Sequence, residues 1–149
     1  RSIFLYDIVA YQQAHGPFLF TVSGGIAAIV FFIGYMIVLN EYPFSIIKAK
    51  CDVIEGPYME YASRYRSVVF ITRGFLMFTL GILFSVLFIG VPATIFSPTI
   101  ILNIIVVLVF VLMMGIFSAF TPVFTNRQLL PTILGATLLG ILSIVLGLL

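Results

Sequence analysis

The chain has 149 residues, of which 62% are hydrophobic and only 8% charged, and its mean hydropathy is +1.29. Soluble domains run near half apolar and about a quarter charged, so too few charges are present to build a water-facing surface. The formal charge of +2 is no nucleic-acid signature, because the cations are matched by nearly as many carboxylates and cluster at what reads as a membrane face.

In chain order, residues 1–16 lack the cationic-then-apolar layout of a signal peptide, and Arg1 is not an initiator Met, so a processed or trimmed chain is expected. Ile3, Phe4, Ile8 and Tyr11 set against Asp7, Gln12 and Gln13 predict a short helix lying in the outer membrane interface. Gly16-Pro17 then turns the chain into the bilayer. His15 reads as a solvated interfacial histidine, because one His without Cys or acidic neighbours cannot fill a metal shell.

Four apolar stretches follow, at about 17–39, 67–91, 99–121 and 128–149. Each is long enough for the roughly 20 helical residues, rising about 1.5 Å apiece, that cross a hydrocarbon core. Barrel strands are shorter and alternate with period two, and helices are the remaining spanning solution. The expected architecture is all-α: a multi-pass membrane protein of four helices, with an interfacial segment 1–16 and one transmembrane domain over 17–149. Ser23, Gly24, Gly25, Ala27, Ala28 and Gly34 in the first stretch predict close helix packing.

Twelve residues are charged, and nine of them fall within 41–73. The loop 41–66 between the first two spans carries Lys48, Lys50, Arg64 and Arg66, and the connection before the fourth span carries Arg127. Both lie on one side of the membrane, which the excess of Lys and Arg assigns to the cytoplasm. The two termini and the uncharged connection 92–98 then lie outside.

Cys51 stands alone, so the chain has no internal disulfide and no iron–sulfur ligand set. Gly-rich phosphate loops, a His-Glu-x-x-His helix and a Ser/His/acid set are missing. No catalytic, metal or cofactor site is expected in this chain.

The loop is not a plain solvated hairpin. Pro43 ends the first helix, Gly56-Pro57 breaks the chain, and apolar residues persist throughout. Asp52, Glu55 and Glu60 with Lys48, Lys50, Arg64 and Arg66 offer charges to one another or to a docked partner, with Glu60 and Arg64 in the favourable i, i+4 order if helical. Arg73 lies within the second span, where a cation costs about 2.5–3.5 kcal/mol at a helix centre and marks a functional candidate. Its side chain either snorkels to the cytoplasmic headgroups or faces the bundle interior. Arg66 and Arg73 are two turns apart and share a face that would receive Glu55, Glu60 or a partner's carboxylate. Asn103 in the third span is expected to bond a neighbouring helix.

Pro43-Phe44, followed by Ile54-Glu55-Gly56-Pro57-Tyr58-Met59-Glu60-Tyr61-Ala62, resembles the cytoplasmic loop of the membrane subunit joining the hydrophilic and membrane arms of respiratory complex I. The Glu-Gly-x-x-x-Glu-Tyr form is closest to the energy-converting hydrogenases and their formate-hydrogenlyase and sulfane-reductase relatives. The order of segments matches the C-terminal half of an eight-helix subunit. The resemblance implies a non-catalytic anchoring and coupling subunit, without a redox centre of its own. Its partners would be hydrophilic hydrogenase-like or reductase subunits that carry iron–sulfur clusters and in some cases a nickel–iron site. Other membrane subunits, including antiporter-like ones, would lie beside it. By the same resemblance Glu55, Gly56, Glu60 and Tyr61 lie at the junction with the hydrophilic arm.

The sequence departs from the family where Lys48 and Lys50 replace a Glu-x-Glu pair and where Val38 and Arg73 stand in place of acids thought to carry protons. Docking through the loop is therefore expected here rather than a conventional proton relay. The alternative is a free-standing small transporter or channel, motivated only by the spans and Arg73.

Overall fold

The computed structural model describes residues 4–39, 41, 43, 44, 63–92, 98–121 and 126–148. Helix α1 runs Leu5–His15, a 3-10 turn follows at Phe18–Phe20, and α2 runs Val22–Val38. Helix α3 runs Ser63–Phe84 and passes into a π turn at Ser85–Ile89, α4 runs Thr99–Phe120, and α5 runs Asn126–Leu148. No strand occurs among the described residues.

Three segments are apolar and long enough to span: Ser67–Ile89, Thr99–Phe120 and Arg127–Leu148, of 22 or 23 residues each. At about 1.5 Å per residue these exceed the roughly 30 Å hydrocarbon thickness. Helix α2 has 17 residues, the short end of the spanning range. It starts five residues later than the apolar stretch because Pro17 and the 3-10 turn come first. Thr21 is the N-cap, its hydroxyl accepting from the Gly24 N–H at 3.1 Å, which satisfies one of the helix's orphan donors. At the other boundary, α3 begins at Ser63, so Arg64 and Arg66 belong to its first turns rather than to a loop.

Helices α2 and α5 pack along their length, and α3 packs on α4. The first contact uses small residues. The Ser143 hydroxyl donates to the Ser23 carbonyl at 2.8 Å, and a Cβ on Gly140 would sit 3.7 Å from Val30. The small residues of α2 contribute unevenly, since nothing lies within 4 Å of a Cβ placed on Gly34. Between α3 and α4, a Cβ on Gly81 would approach Val107 to 2.9 Å, so only glycine allows the two helices this close.

The core is aromatic. Phe84 of α3 lies 4.3 Å from Phe110 of α4, and Tyr35 and Phe32 of α2 lie 5.0 and 5.2 Å from the same ring. Edge-on and tilted contacts of this kind add about 0.5–1.5 kcal/mol per pair beyond area burial. Phe110 thus joins three helices. The outward faces remain apolar, with Phe75 and Ile71 of α3 and Leu112 of α4 among the exposed residues, as lipid-facing helices require.

Helix α1 forms where the sequence predicts it, with Asp7 and Gln13 exposed and Val9 buried, but Gln12 departs from the expected pattern. Gln12, assigned to a solvated face, is 2% exposed, whereas Phe4, Tyr6 and Tyr11 are largely uncovered. The expectation fails at Gln12 because its amide meets a backbone carbonyl of the neighbouring helix.

Candidate functional site

The charged site forms at the end of the bundle where α2 stops. Leu39 closes the helix, its N–H reaching the Tyr35 carbonyl at 3.1 Å, and the Glu41 N–H returns to Met36 at 3.1 Å. The Phe44 N–H then donates to the Glu41 carbonyl at 2.8 Å. Leu39 and Phe44 are buried on either side of this turn, so two apolar anchors fix the backbone that carries Glu41.

Arg73 reaches that carboxylate from α3, its Nη2 donating to Glu41 Oε1 at 2.9 Å. On α3 the more covered residues recur as Val69, Arg73, Met77, Leu80 and Phe84, the three-to-four spacing of one helix face. Arg73 therefore occupies the stripe that continues into the aromatic core and faces the bundle interior. Both side chains are about one-fifth exposed, 21% and 22%. The pair belongs between an exposed one, worth about 1 kcal/mol or less, and a fully buried one, whose breakage costs about 3–5 kcal/mol.

The partner was not the anticipated one. Glu55 and Glu60 lie outside the described residues, as do Lys48, Lys50, Asp52, Gly56 and Tyr61, and the backbone alone is described for Arg64 and Arg66. Glu41 follows directly on the first span, and the signal for it was depth: an Arg about ten residues into α3 needs a carboxylate at the same level of its neighbour. One turn back on α2, the Tyr35 hydroxyl is buried with no hydrogen-bond partner among the described residues.

At the opposite end of the bundle the buried polar groups are neutral. Ser85 Oγ donates to Asn103 Oδ1 at 2.6 Å, and Asn103 Nδ2 donates to the Pro92 carbonyl at 3.2 Å. Asn103 thus bonds a neighbouring helix, as expected from its sequence position. Gln12 Nε2 donates to the Leu87 carbonyl at 2.5 Å. Nearby, a crevice of about 200 Å³ opens between Phe18, Ser23, Ala27, Phe88 and Ser143. The Ser143 hydroxyl there is already committed to Ser23.

His15 is exposed and stacks on Tyr11 at 4.2 Å. Among the described residues no three His, Cys, Asp or Glu side chains gather as metal ligands would. Arg127 is exposed at the start of α5.

Comparison with known proteins gives a concordant result. A family model described as NADH dehydrogenase matches residues 1–148. An uncharacterised protein of Methanocaldococcus jannaschii is 41% identical over 150 aligned residues, covering 100% of this chain and 45% of that protein. A second protein of that organism, provisionally named an NADH-ubiquinone oxidoreductase, is 34% identical over 112 residues, covering 75% of this chain and 37% of its own length. The chain spans less than half the length of these curated relatives.

Proposed function

This chain belongs to the NADH dehydrogenase family, and from that premise we propose that it is a non-catalytic anchoring and coupling subunit of a multisubunit respiratory oxidoreductase related to complex I. It holds hydrophilic, iron–sulfur-bearing subunits against the membrane on the cytoplasmic side and links their redox chemistry to ion movement in neighbouring membrane subunits. The loop residues 54–62 favour the energy-converting hydrogenase branch.

The observation that carries this reading is the Glu41–Arg73 pair. Glu41 precedes the segment 45–62 and Arg73 follows it, so the bond ties the two flanks of that segment together on one face of the bundle. A tied base lowers the loop-closure cost of presenting Asp52, Glu55 and Glu60 to basic partner residues. Charge pairs at such a half-dry junction gain strength over those in water.

The test is co-purification through a tag on this chain. Glu55→Gln with Glu60→Gln should leave the chain in the membrane and release the hydrophilic subunits. Full retention of those subunits in the double variant would contradict docking through the loop acids. Recovery of the wild-type chain alone and monodisperse in mild detergent would instead favour a free-standing transporter.

A further inference from the structure

The π turn at the end of α3 leaves carbonyls without a donor in their own helix, and Leu87 is one of them. The Gly90 N–H bonds the Ser85 carbonyl at 3.0 Å, and the Val91 N–H turns to the same oxygen at 3.4 Å. Leu87 would accept from Val91 in an α-helix, or from residue 92 in a π-helix, but Val91 is committed and Pro92 has no N–H. An unpaired carbonyl inside a membrane bundle is costly. The donor it receives comes from outside the helix, from Gln12 Nε2 at 2.5 Å.

Three further observations show that α1 is seated for this purpose. Gln12 is 2% exposed although only Val9 is buried with it on α1. Gly90 has φ +77°, and a Cβ there would come within 2.6 Å of Gln12 Oε1 and 2.8 Å of Gln12 Cβ, so glycine clears the seat as well as making the turn. The chain leaves α1 through Gly16 at φ +94°, where a Cβ would meet nothing within 4 Å. That glycine is required by backbone conformation and not by packing.

We propose that α1 is a releasable strap, latched by the Gln12 amide on the Leu87 carbonyl, and that its seating holds the π turn in place. Apart from Val9 the strap buries little, so the latch is its main polar attachment. When the strap lifts, the Leu87 carbonyl loses its donor, and residues 85–91 lose the contact that holds them in the turn. Local openings of this kind draw on elements with few buried contacts.

Amide hydrogen exchange on the whole complex in lipid nanodiscs tests the latch, with rates corrected for the intrinsic effect of pH. Gln12→Leu fills the seat with an apolar side chain of comparable volume and removes the donor. Exchange of residues 8–15 should then accelerate at least about tenfold, together with residues 87–91. Gln12→Glu provides the second arm: a carboxylate repels the Leu87 carbonyl, while the protonated acid can donate to it. Protection of α1 in that variant should therefore be low at pH 8 and recover severalfold toward pH 5, with no such recovery in Gln12→Leu. Wild-type protection of α1 in Gln12→Leu, or equal protection of Gln12→Glu at both pH values, would overturn the proposal.

Discussion

The two ends of the bundle solve one problem in opposite ways. At the Glu41 end, a charged pair sits about one-fifth exposed, shallow enough for its desolvation to be partly relieved. At the other end, Ser85 and Gln12 are 0% and 2% exposed and Asn103 is 3% exposed, and these buried groups are neutral. The difference follows the cost of burial. A neutral polar group in a dry site is balanced by one or two hydrogen bonds, whereas a charge needs a counter-charge and residual solvation. Each end therefore has its own failure mode: the charged end breaks when one partner is neutralised, the neutral end when a donor is removed.

The largest expected effect is at the charged end. Arg73→Leu removes an insertion penalty yet strands Glu41, so assembly of the complex should fall sharply, with about 1–4 kcal/mol of destabilisation. Thermal stability and yield equal to wild type would mean that the arginine contributes only by reaching the headgroups. At the neutral end, Asn103→Leu should cost about 1–3 kcal/mol by orphaning the Ser85 hydroxyl and the Pro92 carbonyl, seen as a lower midpoint for thermal unfolding in detergent. If Asn103→Leu destabilises more than Arg73→Leu, the ranking of the two ends is wrong.

A contrast within the charged region sharpens the comparison. Lys48→Gln with Lys50→Gln should weaken attachment of the hydrophilic subunits less than loss of Glu55 and Glu60. It should leave ion uptake in vesicles intact, because the reference pKa of Lys lies about six units above that of a carboxylate, which unfits it for the same proton cycle. Intact assembly with wholly lost ion transport would place the lysines in the coupling path. The smallest effect is at Tyr35, whose buried hydroxyl has no partner among the described residues. Tyr35→Phe should be neutral or stabilising by up to about 1 kcal/mol, and a marked loss of activity in that variant would give the hydroxyl a functional role.

The four apolar stretches were legible because length and hydropathy alone identify spans. Which face of each span turns inward was not, since helices that are apolar all round carry no stripe to read. Arg73 was conspicuous, but its partner stands 32 residues away in sequence and was overshadowed by the acids of the loop motif. Gln12 was misplaced because a polar residue beside an interface reads as solvated until a donorless carbonyl is found opposite it. The π turn had one faint signal, Gly90 two residues before Pro92, which marks where a helix runs out of donors.

The most direct test of the account is a charge exchange across the Glu41–Arg73 pair, read as recovery of the hydrophilic subunits with this chain. Glu41→Arg and Arg73→Glu should each lose most of the partner subunits, since each places like charges opposite one another where the native side chains lie 2.9 Å apart. The double variant restores opposite charges and should recover a substantial part of the assembly, with a coupling energy of about 1–3 kcal/mol between the two positions. Additive losses, with the double variant no better than either single one, would contradict the claim that this pair ties the flanks of the docking segment together.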